Sequence, residues 1–83
     1  MKSATSIGAN VEEANAAQTK KDFIMKMSIA SKEARETKYW LRLLERSQML
    51  KHDYTGYLAT IEYIINVLTK IVKTSQQSLI KDK

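Results

Sequence analysis

Ser3-Ala4-Thr5-Ser6-Ile7-Gly8-Ala9-Asn10-Val11-Glu12-Glu13-Ala14-Asn15-Ala16, followed after Ala17 and Gln18 by Thr19-Lys20-Lys21-Asp22-Phe23, decides the fold. A run of small and polar residues, without proline or strand-like alternation, passes straight into a helix-start signal. The spacing predicts a first helix over about Lys2 to Ala17. Ala4, Ile7, Val11 and Ala14 recur at intervals of 3, 4 and 3, a narrow stripe of small apolar side chains. Such a stripe lets another helix backbone come close. Gly8 costs the helix roughly 1 kcal/mol against alanine, and its missing side chain is expected to permit that approach. Asn10 lies beside the stripe and needs a hydrogen-bond partner if buried.

Thr19 opens the second helix. Its hydroxyl can cap a free amide, and Asp22 three residues on completes a capping-box pattern with Asp in place of Glu. Phe23, Met27, Ala30, Ala34, Thr37, Leu41, Leu44 and Gln48 then alternate at intervals of 4 and 3, the seam of a helix packed in a bundle. Met25, Ile29, Trp40 and Leu43 form a second stripe on the flank. Two apolar stripes imply two neighbours. About 29 residues would give a rod of ~43 Å.

Asp53 is a good N-cap for a third helix starting at Tyr54. Tyr54, Tyr57, Leu58, Ile61, Ile64, Ile65, Leu68, Ile71 and Val72 make a broad apolar face of helical period. Beyond Lys73 the chain turns polar and is expected to fray, apart from anchoring by Leu79 and Ile80. The short link around Met49-Leu50-Lys51-His52-Asp53 implies an antiparallel hairpin of the second and third helices. The fold class is therefore an all-α, up-down helical bundle with three helices in one domain, residues 1–83.

Composition narrows the function classes. There is no cysteine among 83 residues, so there is neither a disulfide nor a thiolate metal site. No apolar run approaches the ~20 residues of a membrane span, and the amino-terminal stretch lacks a signal-peptide core. The expectation is a soluble cytoplasmic protein. Fourteen Lys plus Arg against nine Asp plus Glu give a net charge of +5, which favours anionic partners or serves solubility alone.

The run Ser6-Ile7-Gly8-Ala9-Asn10-Val11-Glu12-Glu13-Ala14 has more to say, together with Lys20-Lys21-Asp22-Phe23-Ile24, Ser28-Ile29-Ala30 and Glu33-Ala34-Arg35-Glu36-Thr37-Lys38-Tyr39-Trp40-Leu41. It resembles the bacterial four-helix-bundle family first noticed as reading frames in intervening sequences of large-subunit ribosomal RNA genes. Members with this resemblance usually carry another long helix before the Ser-Ile-Gly-Ala-Asn run. The resemblance thus implies a four-helix bundle of which this chain lacks the first helix. It also implies a homo-oligomer, a ring of five, with an undefined molecular role. A relative similar in fold, the accessory variability protein of retroelements, binds nucleic acid.

Catalytic chemistry has little footing. His52 is the single histidine and neighbours Asp53, but a His-Asp pair without a nucleophile is no triad. Glu12, Glu13, Glu33 and Glu36 lack the Glu-x-x-His of di-iron bundles, and there is no glycine-rich phosphate loop. No enzyme activity, cofactor or metal is expected. Arg35, Lys38, Arg42 and Arg46 recur at intervals of 3, 4 and 4, with Tyr39 beside them. This stripe is a candidate for RNA or DNA phosphates with a stacking ring. Its alternatives are a solvated face offset by Glu36 and Glu45, or an internal Arg35 paired with Glu13 or Glu33. Trp40, Leu43, Tyr57, Ile65 and Val72 flank the main seam and are the candidate self-association surface.

Overall fold

Three helices follow one another in the computed structural model, which describes residues 2–47 and 53–81, with side chains from Ala4 onward. They are α1 (Lys2–Asn15), α2 (Lys20–Ser47) and α3 (Thr55–Lys81). The link expected around Met49 to His52, and the seam position Gln48, lie outside the described residues.

Each described boundary has a local cause. α1 ends two residues earlier than the periodicity predicts. There the Ala17 amide turns back to the Ala14 carbonyl at 3.1 Å, tightening the last turn. Thr19 caps α2 as expected. Its Oγ1 accepts from the Asp22 amide at 3.1 Å, and its carbonyl takes the first helical bond from Phe23. Asp53 acts one residue farther out than predicted. The Leu58 amide bonds to the Tyr54 carbonyl, so Tyr54 holds the cap position, while Asp53 Oδ1 accepts from the Thr55 amide at 3.0 Å. The polar tail does not fray within the described chain. α3 continues to Lys81, and Lys20 Nζ donates to Ser78 Oγ at 2.8 Å. Leu79 is half-buried there, whereas Ile80 stands out in solvent and anchors nothing.

α2 is the central element. α1 and α3 both lie along it, and among the described residues their Cα atoms come no closer than 8 Å to each other. The bonds Lys20–Ser78, Arg35–Thr69 and Lys38–Glu62 climb α2 while descending α3, so the pair is antiparallel. The result is a rod with Cα extents of 52 × 19 × 14 Å. Its core joins Ala14 of α1, Met27, Ala30, Ala34 and Leu41 of α2, and Tyr54, Ile61 and Leu68 with the third helix. Ile7, Val11, Phe23, Leu58, Ile64, Ile65, Ile71 and Val72 pack around it. Ala30 and Ala34 are wholly enclosed, because an alanine leaves no chain to reach past a neighbouring helix.

Three expectations change here. The seam of α2 thins at its end, where Leu44 is exposed. The flank stripe of Met25, Ile29, Trp40 and Leu43 is also exposed. α2 therefore meets both neighbours through two edges of one seam, rather than one stripe apiece. Gly8 permits no close approach within the chain, since a Cβ built there meets nothing within 4 Å. Asn10 is satisfied locally, its Nδ2 donating to the Ser6 carbonyl at 2.9 Å.

Leu68→Ala should cost ~2–5 kcal/mol in denaturant unfolding, the range for truncating a buried leucine. A loss under about 0.5 kcal/mol, as at ordinary surface positions, would remove Leu68 from the core.

Candidate functional site

The basic stripe of α2 is built by helical spacing, and the third helix divides it. Lys38 Nζ lies 2.9 Å from Glu62 Oε1, and Arg42 Nη2 lies 3.8 Å from the same oxygen. One carboxylate of α3 thus engages the middle two cations of the stripe. The hydrogen bond from Lys38 and then its charge hold the Glu62 carboxyl below its ordinary 4.5. Burial opposes this slightly, and Arg42 adds a smaller pull.

Arg35 is held differently. Its Nη1 donates to Ser31 Oγ at 2.8 Å, and its Nη2 donates to Thr69 Oγ1 at 3.1 Å. It pairs with neither Glu13 nor Glu33. Glu13 instead takes Lys26 at 2.7 Å, tying α1 to α2. Arg46 is exposed in the last turn of α2. Tyr39 is exposed and meets Trp40 edge-on, with ring centroids 5.6 Å apart.

Arg35 forms one wall of a cleft of about 250 Å³ between α2 and α3, lined also by Ser28, Ser31, Thr69, Val72, Lys73 and Gln76. Of these, only Arg35 and Val72 stood out in the sequence. Glu62, Thr69 and Gln76 recur every seven residues, which puts them on one face of α3. That repeat is the sequence signal that could have identified them as partners of the basic stripe.

The candidate association residues separate into two groups. Trp40, Leu43 and Tyr57 are exposed. Ile65 and Val72 are half-buried and pack against the core. On α3, Tyr57, Ile64 and Ile71 lie seven apart, with Val67 between them. Val67 and Ile71 line a shallow, mostly apolar cleft of about 300 Å³ with Lys70, Thr74 and Ser75. His52 lies outside the described residues. Among the described residues, no three His, Cys, Asp or Glu side chains come together as a metal site would need. No helix there is long and apolar enough to cross a membrane.

Two helices packed along one central helix, with no strand among the described residues, define an all-α protein of the up-down bundle class. The profile of the 23S rRNA-intervening sequence protein family matches residues 1–70, and the chain belongs to that family. It is also similar to a solved structure from Bacteroides thetaiotaomicron, described as a protein of unknown function from the S23 ribosomal protein family. The two share 45% identity with a TM-score of 0.79, over 87% of this chain. This chain spans 65% of the length of that neighbour. No curated protein matches.

A depressed carboxyl contributes stability above its unfolded pKa, and that contribution is lost as pH falls through the lower folded value. Lys38→Gln should therefore move the Glu62 midpoint upward towards the ordinary carboxylate range in an NMR pH titration. An unmoved midpoint would remove Lys38 as the cause.

Proposed function

We propose that this chain is a non-enzymatic, homo-oligomeric helical-bundle scaffold. The observation that carries the reading is a pair of exposed apolar faces on different sides of the rod. One is the back of α2, with Met25, Ile29, Trp40 and Leu43 exposed. The other is a stripe of α3, where Tyr57 and Val67 are exposed and Val67 shares a shallow cleft with the half-buried Ile71. Small domains rarely leave such patches in water. Two different faces suit a head-to-tail contact, in which the back of one copy meets the α3 stripe of the next. Contacts of that kind close into rings when the rotation permits. A ring of five accords with the family resemblance, and a cytoplasmic location with the absence of cysteine.

The alternative is a nucleic-acid-binding accessory protein using Arg35, Lys38, Tyr39, Arg42 and Arg46. It has less support, because Lys38 and Arg42 already share Glu62. Anisotropy with labelled RNA and DNA tests it. If it holds, affinity falls steeply with salt.

Trp40 is the single tryptophan and is half-exposed in the isolated chain, so it reports association directly. Its emission should shift to the blue as the protein is concentrated, and sedimentation equilibrium should give at least two chains. Val67→Lys should reverse both changes and keep the helical circular dichroism. A folded wild-type species at the single-chain mass of 9.5 kDa, with concentration-independent emission, would overturn the scaffold reading.

A further inference from the structure

We infer that the cleft between α2 and α3 around Arg35 is a binding site for a phosphate-type oxyanion. The inference starts from a change along one face of α3. At position 62 that face carries a carboxylate, which engages Lys38 and Arg42 of α2. Seven residues on it carries Thr69, and seven further Gln76, both neutral. Arg35 faces Thr69, so it receives a hydroxyl where its neighbours receive a charge. Lys73 stands one turn beyond Thr69 on the same cleft. Among the described residues neither Arg35 nor Lys73 pairs with a carboxylate. Two cations therefore line one concavity that contains no anion.

The rest of the lining fits an oxyanion. Ser31 and Thr69 hold two of the guanidinium's five N–H groups and fix its plane, which leaves three donors for a ligand. A fixed fork of this kind matches two oxygens of a tetrahedral anion. Lys73 adds a mobile point charge, Gln76 an amide, and Ser28 a third hydroxyl. A cleft of about 250 Å³ accommodates a phosphate group with part of its water shell. Val72 is the one apolar side chain of the lining. The shared chemistry is a phosphate, whether free, on a small molecule, or in a nucleic-acid backbone. This inference is independent of self-association.

The test is an NMR titration of the full chain, with sodium phosphate replacing chloride at constant ionic strength. Saturable shifts are expected at the amides of Ser28, Ser31, Thr69 and Lys73 and at the Arg35 side chain. Arg35→Gln and Lys73→Gln should each weaken binding about tenfold or more, the loss expected for a charge-assisted hydrogen bond. Lys21→Gln, on the exposed first turn of α2, should leave it unchanged. Lys73 makes no bond that holds α2 to α3, so its variant tests the site without loosening the helix pair, and the spectrum itself reports the fold. A short oligothymidylate without terminal phosphates forms the second arm. Competition at the same residues makes the phosphodiester backbone the source, and its absence leaves free or small-molecule phosphate. Shifts that grow linearly and spread over the surface lysines, or unchanged affinity in both cleft variants, would overturn the site.

Discussion

The structure depends on a single packing constraint, the seam of α2 that must serve two neighbours at once. Met27, Ala30, Ala34 and Leu41 are all buried, and the two alanines are enclosed completely. Alanine at the middle of the seam brings backbones close, since each Cβ projects little beyond the helix surface. Larger residues, Met27 and Leu41, close the seam at its ends. Ala14 continues the pattern in α1, and Ile61 with Leu68 does so in α3. A helix that meets both partners through adjacent edges of one seam has no partner for its opposite side. The exposure of Met25, Ile29, Trp40 and Leu43 follows from that geometry and not from any weakness of the stripe.

Polar groups reinforce the same arrangement. Thr37 is buried in the seam, yet its hydroxyl donates to the Glu33 carbonyl at 2.9 Å, so it carries no unsatisfied group into the core. Ser31 is buried on the side facing α3 and accepts from Arg35. Ion pairs stand on the rim. Lys26 with Glu13 ties α1 to α2, and Lys38 and Arg42 with Glu62 tie α2 to α3. Such exposed pairs add little stability. What they contribute is register, because each brings one rung of a helix opposite one rung of its neighbour.

The helices, their order and the α2–α3 hairpin were legible because periods of 3 and 4 persist over many turns and Thr19 provides a clear start. The alternating small and large residues of α2 marked its buried seam from Met27 to Leu41 correctly. Three features were not legible, each for a physical reason. Periodicity cannot tell whether an apolar stripe is covered, so the flank of α2 read like a second contact. Composition cannot see a distant hydroxyl, so the polar end of α3 read as frayed although Lys20 reaches Ser78. The spacing of Arg35, Lys38, Arg42 and Arg46 showed one stripe, whereas its division depends on which α3 residue lies opposite each cation. The pairing was latent in the seven-residue repeat of Glu62, Thr69 and Gln76. It becomes readable only once the register of the two helices is known.

That register also explains how three surfaces coexist on so thin a rod. Arg35 and Trp40 are five residues apart, which on a helix separates their directions by about 140°. The cleft of Arg35 therefore opens at the α2–α3 junction, while Trp40 points well away from it and Leu43, eight residues from Arg35, lies between them at about 80°. The apolar stripe of α3 lies on yet another side, since Val67 and Ile71 line one cleft while Thr69 and Lys73 line the other. Alternate residues of one helix thus contribute to a mostly apolar cleft on one side and a cationic one on the other. An assembly built through the back of α2 and the Val67 stripe leaves the Arg35 cleft at the edge of each contact. In a closed ring the same cationic cleft would recur once per copy, so a phosphate group bound weakly by one chain would meet a repeated array of sites. A polyanion long enough to span two of them gains from that repetition. Self-association and anion binding can therefore be separate properties of one chain and still reinforce each other.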